Sequence, residues 1–196
     1  MLDRFYNGYD FRKRILHDPI EFPHRYGNRR DREVSAFISS CLAYGKIESF
    51  KPVIEKILSG MGRSPYSFLL GFDVVRHRKF FTWKYRFNES GDIVCLLYVI
   101  HKLIEMHSSL ERVFKKHYNR EDPHVGRALA GFIGEVMAIN TSSVYGRNLH
   151  PAGLRQFFPS PTGGSACKRI TSSCAGWSGT RILISGYGKG FPKISL

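Results

Sequence analysis

The stretch IVCLLYVIHKLIEMH (residues 93–107) decides the fold class, because apolar side chains occupy nearly every face of the helix that it would form. A helix that is apolar all round has to be buried, so we expect this segment at the centre of the core. Its longest apolar run, from about Ile93 to Ile100, is too short to span a bilayer. No stretch shows the clear alternation of a β-strand, and the sequence predicts an all-α domain.

Apolar residues at helical spacing predict further helices on both sides of this segment. They are expected at about residues 31–44, 47–58, 64–70, 110–117 and 123–139. Asp31 is interpreted as an N-cap or first-turn acid of the first of these helices. Residues 73–88 are basic and aromatic together, and they fit either a strand or an irregular segment.

The composition favours one domain, or a little more, with an anionic partner. Of the 196 residues 42% are apolar, which is enough for a core, and 30 Lys and Arg against 16 Asp and Glu give a net charge of +14. This charge favours nucleic acid or an anionic membrane surface, although a basic protein without such a partner fits equally well.

The cysteines and the N-terminal sequence point to a reducing compartment. Cys41 and Cys95 fall in apolar helical patterns, where a buried free thiol is the usual state, and no Cys or His group has zinc spacing. The segment MLDRFYNGYDFRKR lacks the apolar centre of a signal peptide. We expect a cytoplasmic protein with no metal and no cofactor.

The character of the chain changes at Thr171. Residues 171–196 contain no Asp or Glu, and Gly and Ser make up 10 of these 26 residues, which disfavours helix and core. Back-translation from the third base of the Thr171 codon allows LFLRWMVRDKDIDIGIWKGFPKNL, with apolar residues at helical spacing and then an acidic loop. We expect a helical domain over 1–169 and an out-of-frame tail over 170–196. A native flexible basic tail is the alternative.

The tail also inflates the basic charge of the chain. Residues 168–196 hold five of the basic residues and none of the acids. The first 167 residues therefore hold 25 basic against 16 acidic residues, a net charge of +9. The case for a nucleic-acid partner is weaker after this correction, but it remains.

Two separated motifs, DREVSAFISSCLAYGKIESF (31–50) and GLRQFFPSPTGGSACKR (153–169), resemble a bacterial family of uncharacterised proteins with a conserved domain of unknown function. The resemblance covers about residues 1–169, and the family continues the second motif as NLFLRWMVR, which the shifted frame reproduces. The family is distantly similar to the helix-hairpin-helix DNA glycosylase superfamily. There a hairpin-helix unit binds the DNA backbone through main-chain N–H groups, and a later Leu-Asp-Thr-His-like segment supplies the catalytic acid. This chain lacks that segment.

The first candidate binding segment is Gly163-Gly164-Ser165, followed by Lys168 and Arg169. Glycines before a helix expose N–H groups to a phosphate, and the helix dipole favours an anion there. The two basic side chains would add phosphate contacts. A simple capped turn, with Ser165 near the N-cap, is the alternative interpretation.

The second candidate combines the turn Tyr44-Gly45-Lys46 with the cluster Arg25, Arg29 and Arg30. In glycosylase-like folds the loop after the corresponding early helix faces the DNA groove, so the resemblance implies DNA contact here. A solvated basic surface without a ligand is the alternative.

The third candidate lies within residues 73–88, where basic and aromatic residues interleave, as in segments that stack on bases. Its members are Arg76, Arg78, Lys79, Lys84 and Arg86 with Phe80, Phe81, Trp83, Tyr85 and Phe87. Packing of the aromatic side chains on a helical core is the favoured alternative.

The remaining polar residues of note have structural interpretations. Asp31 and Glu33 suit helix capping and the helix dipole, and the sequence shows no partner that would make them catalytic. His101 and His107, six residues apart on a helix, lie on different faces and are not expected to bind a metal.

Three hypotheses for function follow. The first is nucleic-acid binding, with DNA favoured, and with base flipping and excision in intact relatives whose acid is missing here. The second is a non-catalytic interaction protein whose basic surface binds a protein or RNA. The third is a truncated product without a role. The sequence identifies no catalytic residue and leaves the oligomeric state open.

The coding DNA around codon 170 tests the out-of-frame tail. One added base is expected to open a long downstream frame that encodes an Asp-Thr-His-like segment, because a single-base loss there would explain the change of composition. Sequencing of the locus checks this, and a stop codon directly after the break in the restored frame would contradict it.

Overall fold

The computed structural model describes residues 18–165 and 167–171, and the regular structure in these ranges is helical, apart from an isolated bridge between Tyr85 and Asn88. The predicted all-α class is confirmed. The α-helices are α1 Glu21–His24, α2 Arg29–Leu42, α3 Ile47–Met61, α4 Pro65–Leu70, α5 Val74–His77, α6 Ser90–His107, α7 Leu110–Lys116, α8 Gly126–Ala138, α9 Ser142–Tyr145 and α10 Ala152–Phe157. Two 3-10 turns, Arg78–Phe80 and Pro161–Gly163, follow α5 and α10.

Helix α6 lies at the centre, as its all-round apolar sequence predicts. Its residues 93–97 and 99–100 are completely buried, and helices α4, α5, α7, α8, α9 and α10 all contact it. It begins at Ser90, where a capping box joins the Glu89 side chain to the Asp92 backbone and the Asp92 side chain to the Glu89 backbone. Ser108, with φ of +67°, ends the helix.

Helix α2 supplies carboxylates to the first turns of two other helices. Its N-cap is Asn28, so Asp31 is a first-turn acid rather than the cap. The Asp31 carboxylate accepts the Tyr66 N–H at 3.0 Å and the Ser64 hydroxyl at 2.7 Å, at the start of α4. Glu33 accepts the Glu111 N–H at 2.6 Å, in the first turn of α7. Both acids therefore satisfy N–H groups that a helix leaves unpaired.

Several boundaries differ from the sequence-based expectation. Helix α3 continues to Met61 instead of Leu58 and ends where Gly62 adopts a φ of +74°. Residues 73–88 contain a short helix and a 3-10 turn before the bridge at Tyr85, so the strand interpretation is wrong. Helix α8 begins at Gly126, three residues after Pro123.

Small residues on α8 permit one close contact. The His117 ring lies directly against Gly131, where any Cβ would overlap it. His117 reaches Glu135 on the next turn at 3.1 Å, and Lys116 reaches the same carboxylate at 2.6 Å. The end of α7 is thus fixed to α8, while a Cβ on Gly134 would meet nothing within 4 Å.

The helical structure continues across the expected frame break. Residues 168–171 are helical, and Ile170 is completely buried. The rest of the expected tail lies outside the described residues, as does a short helical piece that the sequence predicts before His17. No single helix among the described residues is long and apolar enough to cross a membrane. Helices α6 and α7 meet that criterion only as a pair, bent by 67° at the break between them.

Replacement of Glu33 by Gln is expected to change how stability depends on pH. Burial raises the pKa of Glu33 from its ordinary value of 4.5 to about 7, opposed in part by its hydrogen bond with the Glu111 N–H. The folded state therefore holds a proton that the unfolded chain releases, and stability falls as pH rises from 4.5 to 7. Glu33→Gln keeps an acceptor oxygen without a charge, so its stability relative to wild type should rise by about 3 kcal/mol over this range.

Urea unfolding at a series of pH values measures this difference. The exposed Glu48 provides the control, since Glu48→Gln removes a carboxylate that is not buried. A constant difference between Glu33→Gln and wild type from pH 4.5 to 7 would contradict the assignment.

Candidate nucleic-acid interface

Two turns that are 41 residues apart in sequence pack against each other around Tyr44 and Tyr85. Their rings lie 4.8 Å apart, centroid to centroid. The Tyr44 hydroxyl donates to the Asn88 side chain and lies 3.3 Å from the Tyr85 carbonyl, while the Tyr85 hydroxyl donates to the Tyr44 carbonyl. The turn after α2 and the turn at residues 85–88 are therefore one unit.

Asn88 connects this unit to α10. It is completely buried, and its side-chain N–H donates to the Gly153 carbonyl at 2.7 Å. Its own backbone pairs with Tyr85 through two bonds of 2.9 Å. An Asn whose amide is used in this way holds three segments in a fixed relation, since loss of a partner would leave a buried polar group unsatisfied.

Asp92, in the first turn of α6, contacts the start of α10 as well. Its carboxylate accepts the Tyr145 hydroxyl at 2.8 Å and the Glu89 N–H at 2.9 Å. Gly153 packs directly on this carboxylate, and any Cβ there would overlap it. Only glycine fits, so the start of α10 comes closer to α6 than other residues allow.

Arg169 joins the C-terminal ends of two helices. Its guanidinium donates to the Cys41 carbonyl of α2 at 3.1 Å and to the Gln156 carbonyl of α10 at 2.6 Å. It also lies over the Tyr44 ring, 5.4 Å from the centroid. Burial raises the pKa of Tyr44, a shift that the positive charges of Arg169 and Arg86 oppose. The phenol is thus a neutral donor beside a cation that neutralises helix dipoles.

The first candidate segment is a tight turn that leads into a helix. Gly164 adopts a φ of +80°, and the Ser165 hydroxyl accepts the Cys167 N–H at 3.2 Å. Gly163 and Gly164 are exposed, and a Cβ on either would meet nothing within 4 Å. The Ser165 hydroxyl therefore closes a short turn ahead of the helical residues 168–171, while the backbone of both glycines remains open to solvent.

The second candidate is divided between the two ends of α2. A helix of 14 residues is roughly 20 Å long, so Arg29 and Arg30 lie far from Lys46. These arginines have partners: Arg29 lies 2.7 Å from Glu111, and Arg30 donates to the Tyr66 hydroxyl at 3.0 Å. Arg25 lies 2.7 Å from both Glu21 and Glu55.

The third candidate is also divided. Phe81 and Tyr85 are buried, and Trp83 packs on the core with Lys56 over its ring, as the core interpretation predicts. Phe80 and Phe87, in contrast, are 55% and 69% exposed, so their side chains do not pack in the core. Among the basic residues, Lys84 pairs with Glu89 at 2.8 Å and Arg78 donates to the Val144 carbonyl.

Parts of all three candidates nevertheless meet at one place. The Arg86 guanidinium lies against Gly45, where a Cβ would be 2.8 Å from Nη1. Lys46 follows Gly45, and Lys168 precedes Arg169, which stacks on Tyr44. We call the exposed residues Lys46, Arg86 and Lys168 the basic face. It can offer positive charge to a polyanion, and the exposed turn at Gly163 and Gly164 can offer backbone N–H groups.

No metal centre is found in the described part of the chain, where no group of His, Cys, Asp and Glu is arranged to hold an ion. His101 lies 2.7 Å from the Leu69 carbonyl, and His107 lies 3.7 Å from Glu135. The structure also shows residues that sequence reasoning missed, namely Asn88, Asp92, Tyr145 and Gly153. The spacing of Glu89 and Asp92 before an apolar run was the signal that could have identified the capping box.

The described residues form an all-helical domain in which Arg169 joins the turn after α2 to α10. The chain belongs to DUF2400, a family of proteins of unknown function, whose model matches residues 18–172. No curated protein and no solved structure matches the chain.

Replacement of Arg169 by Ala is expected to destabilise the fold by about 2 to 3 kcal/mol, because two helix-terminal carbonyls lose charged hydrogen bonds. The exposed Arg63, which follows α3, serves as the control, with an expected change within about 0.5 kcal/mol for Arg63→Ala. Denaturant unfolding of both variants measures this, and equal stability of the two would show that Arg169 does not join the helices.

Proposed function

We propose that this chain binds duplex DNA through the basic face and the adjoining hairpin. One observation carries the proposal: Lys46, Arg86 and Lys168 come from three distant segments, yet a single network of contacts through Tyr44 and Arg169 brings these segments together. Phosphate contacts from Lys, Arg and backbone N–H groups provide most sequence-independent affinity for DNA. The exposed turn at Gly163 and Gly164 adds backbone groups to the same region.

The proposed relation to helix-hairpin-helix DNA glycosylases rests on local architecture. Helix α10, the glycine-containing turn and the helical residues 168–171 follow one another as helix, hairpin and helix. In that superfamily such a unit positions the DNA backbone, and a carboxylate further along the chain performs the chemistry. We propose base-excision activity for relatives in which a Leu-Asp-Thr-His-like segment supplies the catalytic acid.

We also propose that the residues after about 170 are read out of frame. The match to the family model ends at residue 172, next to the change of composition at Thr171. Ile170 is buried in the core, as expected for a helix that the native frame would continue. A native basic tail remains the competing explanation, and the coding DNA decides between them.

A salt titration of duplex DNA binding tests the proposed interface. For wild type we expect log K to fall linearly with log salt concentration, with a slope of about −0.9 for each phosphate contacted. The double variant Lys46→Ala/Lys168→Ala should reduce the magnitude of the slope by about 2, because two contacts are lost.

The control is the double variant Arg63→Ala/Arg120→Ala, which removes the same charge from exposed residues outside the basic face. Arg63 follows the opposite end of α3 from Lys46, and Arg120 lies between α7 and α8. A slope near zero for wild type would overturn DNA binding and favour a non-catalytic interaction protein. Equal slopes for the two double variants would show that DNA does not bind at the basic face.

A further inference from the structure

The turn at residues 85–88 carries an unusual combination of features. Arg86 adopts a φ of +51°, in the left-handed region that side chains other than glycine rarely occupy. Phe87, at the tip, is 69% exposed, although a large aromatic ring normally gains free energy by burial. A two-residue turn between the paired residues Tyr85 and Asn88 needs a positive φ at its first position, so the exposed ring of Phe87 is the feature that the turn geometry does not explain.

The base of this turn is rigid. Tyr85 and Asn88, on its two sides, are both buried, and their backbones are paired with each other. The Tyr44 hydroxyl and the Gly153 carbonyl bind the Asn88 side chain. The turn therefore presents Phe87 from a fixed platform.

Arg86 fills the space between Gly45 and Phe87. Its guanidinium lies against the Gly45 backbone, where a Cβ would crowd it, and its Cζ lies 5.5 Å from the Phe87 ring centroid. One side of the ring is therefore next to a cation, and the exposed fraction of Phe87 leaves ring surface available to a ligand. A planar group bound there would stack on a ring that a cation flanks.

We propose that Phe87 stacks on an unpaired or flanking base of DNA at a position where the base stack is interrupted, with Arg86 and Gly45 as positioning residues. This inference rests on the proposed function and adds a substrate class to it, namely DNA with a missing or displaced base. Aromatic side chains stack on bases of any identity, so an exposed Phe beside a cation suits this role. Insertion between paired bases requires unstacking, whereas an abasic position offers base faces without it.

Phe80 shows what an exposed Phe looks like without these features. It is 55% exposed and has Lys79 at 5.5 Å from its ring centroid, which closely resembles the pair of Phe87 and Arg86. Its ring, however, lies 6.2 Å from that of His77. It belongs to the 3-10 turn after α5, where no positive φ occurs. It is therefore a matched control on the same domain.

The experiment compares the affinity of the full chain for an intact duplex and for the same duplex with one central abasic position, at fixed low salt. Wild type should bind the abasic duplex about tenfold more tightly, the size expected for one stacked base. Phe87→Ala and Phe87→Leu should lose this preference, while Phe87→Trp and Phe80→Ala should keep it. The salt slope of Phe87→Ala should equal that of wild type, since no charge is removed.

The outcomes separate this inference from the function on which it rests. Salt-dependent binding of both duplexes without a preference would overturn the role of Phe87 and leave DNA binding intact. A preference that persists in Phe87→Ala, or full preference in Phe87→Leu, would also overturn base stacking by this ring. Absence of binding to either duplex would overturn both proposals together.

Discussion

The interaction on which the arrangement of this protein depends is the contact of Arg169 with the ends of two helices. Helix α2 has no basic residue in its last turn, and a helix leaves its final carbonyls unpaired. Arg169 supplies the missing donor from 128 residues further along the chain, and its second donor pairs with Gln156 at the end of α10. Because its guanidinium also covers the Tyr44 ring, the Arg169 side chain joins the helical residues 168–171 to the turn after α2.

Two glycines set the rest of the arrangement, since a Cβ on Gly153 would overlap a buried carboxylate and Gly45 has a φ of +88°, which favours glycine. Gly153 lets α10 contact the Asp92 carboxylate, and Gly45 lets the Arg86 guanidinium lie on the backbone of the turn after α2. Asn88 then connects the two places through Tyr44 and the Gly153 carbonyl. Buried polar contacts thus fix the relative positions of the segments that carry the basic face, and surface charge contributes less to this arrangement.

The sequence contained most of the fold. The apolar pattern of α6 and the buried thiols of Cys41 and Cys95 are local signals, because helical faces depend on neighbouring residues. Residues 73–88 had no regular period, and their short helix packs on the core through Val74 and His77.

Long-range partners were not readable from the sequence. Nothing near Asp31 or Glu33 in the chain indicates that they cap α4 and α7, and the burial that raises the pKa of Glu33 is a tertiary property. The cluster of Arg25, Arg29 and Arg30 likewise has partners that are distant in the chain, at Glu55, Glu111 and Tyr66. The convergence of Lys46, Arg86 and Lys168 likewise depends on contacts between segments that no local pattern connects.

Hydrogen exchange of the full chain, with and without duplex DNA at low salt, tests the central claim most directly, because it locates the ligand without any substitution. With DNA bound, we expect slower exchange of the backbone amides at residues 44–47, 85–88 and 163–165 together. We expect no change at residues 64–70 and 110–116. Protection confined to the N-terminal half of α2, or no protection at any of these three segments while DNA is bound, would contradict it.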